Sequence, residues 1–132
     1  MKLLTRNTDY AVRAICYMAT HRGEVVAVPA MVEELKIPRP FLRKILQTLS
    51  KDRIITSRRG VGGGFQLALP ADKILLTELI RIFQGPVKVS ECLFKKKVCP
   101  NIKVCPLKKK LGAIERYVES ELKAITIGEL LK

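Results

Sequence analysis

The sequence predicts a mainly α-helical chain with one small β-hairpin, and three observations carry that reading. Apolar residues recur at steps of three and four along most of the chain, the period of helices with one buried face. Pro29, Pro38 and the pair Gly85-Pro86 cut that pattern into short helices. Two β-prone runs, Ile54 to Arg59 and Phe65 to Leu69, flank Gly60-Val61-Gly62-Gly63-Gly64, which is a hairpin signal.

The elements follow in order. Asn7 and Thr8 can cap a first helix whose apolar positions are Tyr10, Ala11, Ala14, Ile15, Met18 and Ala19, ending near His21-Arg22-Gly23. Pro29 suits the first turn of a short second helix with Met31, Val32 and Leu35, because the N–H it lacks would be unpaired there anyway. Lys36-Ile37-Pro38 forces a turn. A third helix from about Arg39 or Pro40 to Ser50 buries Phe41, Leu42, Ile45, Leu46 and Leu49 and turns Arg39, Arg43, Lys44 and Gln47 elsewhere. After the hairpin, Pro70-Ala71-Asp72 closes the strand pair and Thr77 to Gln84 makes another helix. Residues 87–106 lack a clean period and hold Cys92, Cys99 and Cys105, so something must order that loop. From Leu107 a long helix carries Leu111, Ile114, Val118, Leu122 and Ile125, and Thr126-Ile127-Gly128-Glu129 fits a capping box opening a last short turn.

Two short helices with a tight turn between them read as helix-turn-helix, and the hairpin behind them reads as a wing. Charge points the same way. The chain has 132 residues, 25 Lys and Arg against 12 Asp and Glu, and a net charge of +13, a field that attracts polyanions. The excess falls in two patches: Lys36, Arg39, Arg43, Lys44, Lys51, Arg53, Arg58 and Arg59 with only Asp52 among them, and the lysines of residues 95–110 with no acid. With no Trp, three Tyr and four Phe, a single-strand reader built on several stacking platforms is disfavoured, and double-stranded DNA is the better partner. The third helix, with Arg39, Arg43 and Lys44, is placed in the major groove. The wing, with Arg58, Arg59 and the flexible Gly62 and Gly63, reaches phosphate or a narrow minor groove.

The remaining classes are narrower. No apolar run approaches the roughly 20 residues of a membrane span, and the start of the chain does not read as a signal peptide, so no membrane role and a cytoplasmic address are expected. No catalytic constellation is visible: His21 is the one histidine, and the glycine run leads into a strand instead of a phosphate-cradling helix. The protein is therefore not expected to be an enzyme. The cysteines admit several readings. Cys16 lies on the apolar first helix and reads as a small core residue. The other three are spaced too widely for tight zinc pairs, a disulfide would strand one thiol in a reducing compartment, and three thiolates along a loop can wrap one face of a cluster. Inert thiols, zinc and a thiol switch stay open on spacing alone. Lys95, Lys96, Lys97 and Lys103 favour thiolate forms and offset a cluster's negative charge.

These residues together resemble the Rrf-two family of bacterial winged helix-turn-helix regulators, in particular its IscR/NsrR-like iron-sulfur members. The resemblance is carried by Thr8-Asp9-Tyr10-Ala11-Val12-Arg13, by Arg59-Gly60-Val61-Gly62-Gly63-Gly64-Phe65, by the cysteine trio and by Thr126-Ile127-Gly128-Glu129-Leu130. It implies a transcription regulator with a DNA-binding part at 1–86, a cluster loop at 87–106 and a dimerisation helix with its closing turn at 107–132. The homodimer, joined through Leu111, Ile114, Val118 and Leu122, would read a pseudo-palindromic promoter site. It also implies a cluster on Cys92, Cys99 and Cys105. One branch of the family carries a histidine just after the third cysteine, where this chain has Pro106-Leu107-Lys108. Another uses a carboxylate near the start of the first helix, supplied across the dimer, and Asp9 stands there. The resemblance thus favours [4Fe-4S] over [2Fe-2S] with Asp9 as oxygen ligand; otherwise Asp9 is an acid favoured by the helix dipole. The gap from Cys92 to Cys99 is one residue longer than usual in those branches. Arg39-Pro40 and Arg43 replace small polar and acidic residues of some relatives, so the operator does not carry over.

Overall fold

The computed structural model describes residues 3–87 and 106–131. Among them six α-helices and one two-stranded antiparallel sheet follow in the order α1 (Arg6–Thr20), α2 (Val28–Leu35), α3 (Arg39–Lys51), β1 (Ile55–Arg58), β2 (Gly64–Leu67), α4 (Leu76–Gln84), α5 (Pro106–Lys123) and α6 (Ile127–Leu130), with a 3-10 turn at Ala71–Lys73. The mainly helical winged fold is as the sequence predicts. None of the described helices is long and apolar enough to cross a membrane.

Helix α1 is the centre of the structure. Its Ala11, Ala14 and Ile15 have no exposed surface, Met18 has almost none, and α2, α3, α4, α6 and β2 all pack against it. Three small or unbranched positions on that stripe let several neighbours approach one helix closely, and large residues such as Leu42, Leu46, Leu49, Ile74 and Leu79 fill the space around it. The helix starts earlier than expected. Thr5, not Asn7 or Thr8, is the cap, its hydroxyl oxygen accepting from the Thr8 N–H at 3.4 Å. Thr8 is fully buried, and its hydroxyl donates instead to Gln84 Oε1 at 2.6 Å. Gln84, the last residue of α4, also accepts from the Thr5 N–H and donates from Nε2 to the Leu3 carbonyl, both at 3.0 Å. One amide therefore clamps the start of α1 to the end of α4.

Helices α2 and α3 meet through a turn in which Lys36 takes the left-handed conformation, φ 57°, and its N–H donates to the Val32 carbonyl. Helix α3 buries Leu42, Ile45, Leu46 and Leu49. Phe41, expected on the same face, is instead half exposed at 50%. At 100° per residue the buried arc centres between Leu42 and Leu49, which leaves Phe41 at its edge.

The wing pairs Ile55 with Leu67 through Arg58 with Gly64. A third rung comes from outside the hairpin: the Val26 N–H donates to the Phe65 carbonyl at 2.8 Å and the Phe65 N–H to the Val26 carbonyl at 2.9 Å. Gly64 permits this, since a Cβ there would strike the Val26 carbonyl. At the tip, Gly63 N–H donates to the Gly60 carbonyl at 3.0 Å, and Gly62 has φ 74°, a conformation glycine adopts without steric cost.

The chain's end returns to the same body. Thr126 caps α6, accepting from the Glu129 N–H at 3.2 Å as the capping motif predicts, while Ile127 is fully buried and donates its N–H to the Ile74 carbonyl at 2.9 Å. Helix α5 lies on α4, where Leu122 joins Leu76 and Ile80 in a second apolar cluster with Val12, Val87, Val118 and Ile125 around it.

Gly64 is the most sensitive point of the wing. Gly64→Ala sets a methyl group against backbone that no side-chain rotation relieves, so it should lower unfolding stability by about 1–3 kcal/mol in a urea titration, while Gly62→Ala, with open space around it, should cost less.

Candidate functional site

Helix α3 packs against β1 of the wing, and both elements expose basic residues. On α3, Arg39, Arg43, Lys44, Gln47 and Lys51 are exposed and the helix contains no acid. Their carrier is rigid, because Leu42, Ile45, Leu46 and Leu49 fix the opposite side in the core. Arg58 and Arg59 are exposed where β1 runs into the tip. Gly63 owes its identity to the turn as well, since a Cβ there would meet the Arg58 carbonyl; Gly62 and Gly63 shape the tip that presents the two arginines. Two further exposed groups on this surface escape a search for charge alone: Phe41 on α3, and Val61, fully exposed at the tip. A helical-wheel placement of the buried arc would have found the first.

Asp9 sits in the first turn of α1, half exposed, with its Oδ2 3.1 Å from Arg13 Nε one turn on. Its carboxylate is thus partly open to solvent and paired with Arg13. Cys92, Cys99 and Cys105 lie outside the described residues, and among the described residues no three His, Cys, Asp or Glu side chains gather closely enough to hold a metal. Cys16 is half-buried against the main core, and burial pushes its thiol pKa up, keeping it protonated at neutral pH. His21 serves the end of α1: its Nδ1 lies 2.8 Å from the Tyr17 carbonyl oxygen and 3.1 Å from Thr20 Oγ1, and its ring leans on Tyr17. Twelve residues of helix, about 18 Å, separate it from Asp9.

The apolar stripe of α5 divides. Its later residues serve this chain's own core, for Leu122 is buried on α4 and Val118 packs beside it. Its earlier residues remain open: Leu107 and Ile114 are exposed at 66% and 50%, Leu111 is half-buried, and Tyr117 beside them is 66% exposed. An open cleft lined by Leu3, Tyr117, Val118 and Ile125 continues that surface toward the start of the chain.

Comparison with known proteins identifies the family. The family model for Rrf2, described as an iron-dependent transcriptional regulator, matches residues 4–132. A protein of Aquifex aeolicus (strain VF5) named as an HTH-type transcriptional regulator is 33% identical over 124 residues, 92% of this chain and 86% of that one. Among solved structures, the global cysteine regulator CymR of B. subtilis superposes with a TM-score of 0.83 at 21% identity, covering 99% of this chain and 97% of that chain. IscR of T. potens does so with a TM-score of 0.76 at 23% identity, covering 99% and 86%. The chain belongs to the Rrf2 family of transcription regulators.

Proposed function

We propose that the protein is an iron-sulfur-dependent regulator that binds pseudo-palindromic promoter DNA as a homodimer. What supports the DNA half of this reading is the set of exposed basic residues on α3 and on the wing that packs against it, with α3 fixed by buried residues on its far side. Arg39, Arg43 and Lys44 enter the major groove, where a planar guanidinium can bond two acceptors of one guanine. Arg58 and Arg59, aimed by the Gly62-Gly63 turn, follow the phosphates into the adjoining minor groove. The open half of the α5 stripe, from Leu107 through Leu111 to Ile114 with Val118 at its inner edge, is the dimer seam; Leu122 supports it from the chain's own core.

The sensory half rests on the cysteine trio of the 87–106 loop, its resemblance to iron-sulfur relatives and the family's iron-dependent description. Cys92, Cys99 and Cys105 would hold the cluster, and Asp9 from the partner subunit would supply the oxygen ligand. A cluster bound there brings reactivity toward oxygen and nitric oxide and redox activity that thiols alone lack. A carboxylate is a weaker ligand for cluster iron than thiolate, so the Asp9 bond is the one most readily exchanged. Arg13, which pairs with the Asp9 carboxylate at 3.1 Å in the structure, would hold it whenever it is not a ligand. Because Asp9 and the stripe that packs α3 belong to one helix, its two bonding states can bias how α3 is presented. The iron and sulfide content and visible spectrum of anaerobically purified protein test this directly. Zinc, or no metal with DNA binding governed by thiol oxidation, would replace the cluster reading with the rival one.

Two outcomes are expected of variants. In duplex-binding titrations, Arg59→Ala should weaken all sequences alike and reduce the salt slope by about one, whereas loss of a base-reading arginine in Arg39→Ala or Arg43→Ala should cost about 1–3 kcal/mol and blur one operator position; unchanged affinity in all three would refute this docking. In anaerobic iron analysis, Ser at Cys92, Cys99 or Cys105 should abolish the cluster spectrum, while Cys16→Ser should retain it, because a thiol held protonated is a poor ligand.

A further inference from the structure

Phe41 has no place in the charge-based account of α3, yet it is exposed beside those cations, where their face meets the buried arc. It is the third residue of the helix, within the turn that a helix-turn-helix protein presents to base edges. Half its surface is in water, although the same helix buries four aliphatic side chains completely or nearly so. Lys44 stands one turn on at i+3, and Arg39, Pro40, Arg43 and Gln47 occupy the rest of the exposed arc, all without an acid on the helix.

That setting selects the occupant. An apolar protein groove would have to desolvate the cations beside the ring, and nothing on α3 would compensate them. A polyanion leaves those cations paired. Of the polyanions open to a rigid helix, duplex DNA is the one whose groove floor also offers apolar groups, the C5-methyl groups of thymine, which mark T against every other base in the major groove. Resting on the DNA-binding reading above, we propose that Phe41 is a specificity residue that packs its ring on the methyl group of a thymine, once in each half-site.

The contact predicts an effect of atomic size. Exchanging thymine for deoxyuridine removes one methyl group and leaves every hydrogen-bonding group of the base in place. The probe is a duplex of about 30 base pairs selected by the full-length protein from a random-sequence pool, with each thymine exchanged in turn. For the parent protein, uracil at one thymine per half-site should weaken binding roughly fourfold, the effect of exposing one methyl-sized apolar group. Phe41→Ala should bind the thymine duplex more weakly and no longer distinguish it from the uracil duplex. Because Phe41 is half exposed, Phe41→Ala should also melt close to the parent, which separates contact from folding. Equal binding of thymine and uracil duplexes by the parent at every position overturns the proposal, as does a difference that survives in Phe41→Ala. If the pool yields no preferred duplex even at low salt, the DNA-binding reading itself fails; if a duplex is selected but uracil is tolerated throughout, only the role of Phe41 does.

Discussion

Everything in this molecule is placed relative to the buried stripe of α1. Ala11, Ala14 and Ile15 are closed to solvent because α2, α3, α4, α6 and β2 converge on them, and the small alanines are what let so many elements share one helix. Enlarging either alanine would push those elements away from the helix they share. The same helix carries Asp9 in its first turn and is closed by His21, so the residue proposed to touch the sensor and the body that aims α3 belong to a single unit. Gln84 adds a second tie, holding the first turn of α1 to the last residue of α4, immediately before the chain enters the cysteine segment.

This arrangement explains why the basic surface can be exposed without loosening the fold. Helix α3 devotes one side to the core and leaves on the other a group of cations with no acid among them, and those cations repel one another unless a polyanion covers them. The wing is anchored by Ile54 and Ile55 in the core and by the exchanged hydrogen bonds between Val26 and Phe65, while its glycine tip and arginines stand outside. Rigidity behind and charge in front are the two conditions for reading a groove with few residues.

Most of the fold was legible locally, because helix period, glycine and proline punctuation and one capping motif act over a few residues. Thr126 capping α6 and the hairpin around Gly60 to Gly64 are of that kind. What escaped depended on distant partners. The cap of α1 moved to Thr5 because the Thr8 hydroxyl is committed to Gln84, 76 residues away. The packing of Leu122 within the chain, where α4 supplies Leu76 and Ile80 beneath it, is likewise not visible in the stripe alone. Phe41 was assigned inward by hydrophobicity alone, whereas the geometry of its helix turns it outward. The basic residues of the site were legible from charge clustering; Asp9 was singled out by resemblance, and its pairing with Arg13 follows from i, i+4 spacing once attention rests there. Cys92, Cys99 and Cys105 fall outside the described residues, so their grouping rests on sequence.

The central claim is that the state of the cysteine segment reaches α3 through α1. The most direct measurement is the affinity of one anaerobic preparation for one selected duplex, before and after its iron is removed by chelation, at fixed salt. The account predicts that the two forms differ by at least about fivefold, the lower end of typical coupling between sites, and that the difference shrinks in Asp9→Ala. Identical affinities for the loaded and iron-free protein would contradict it.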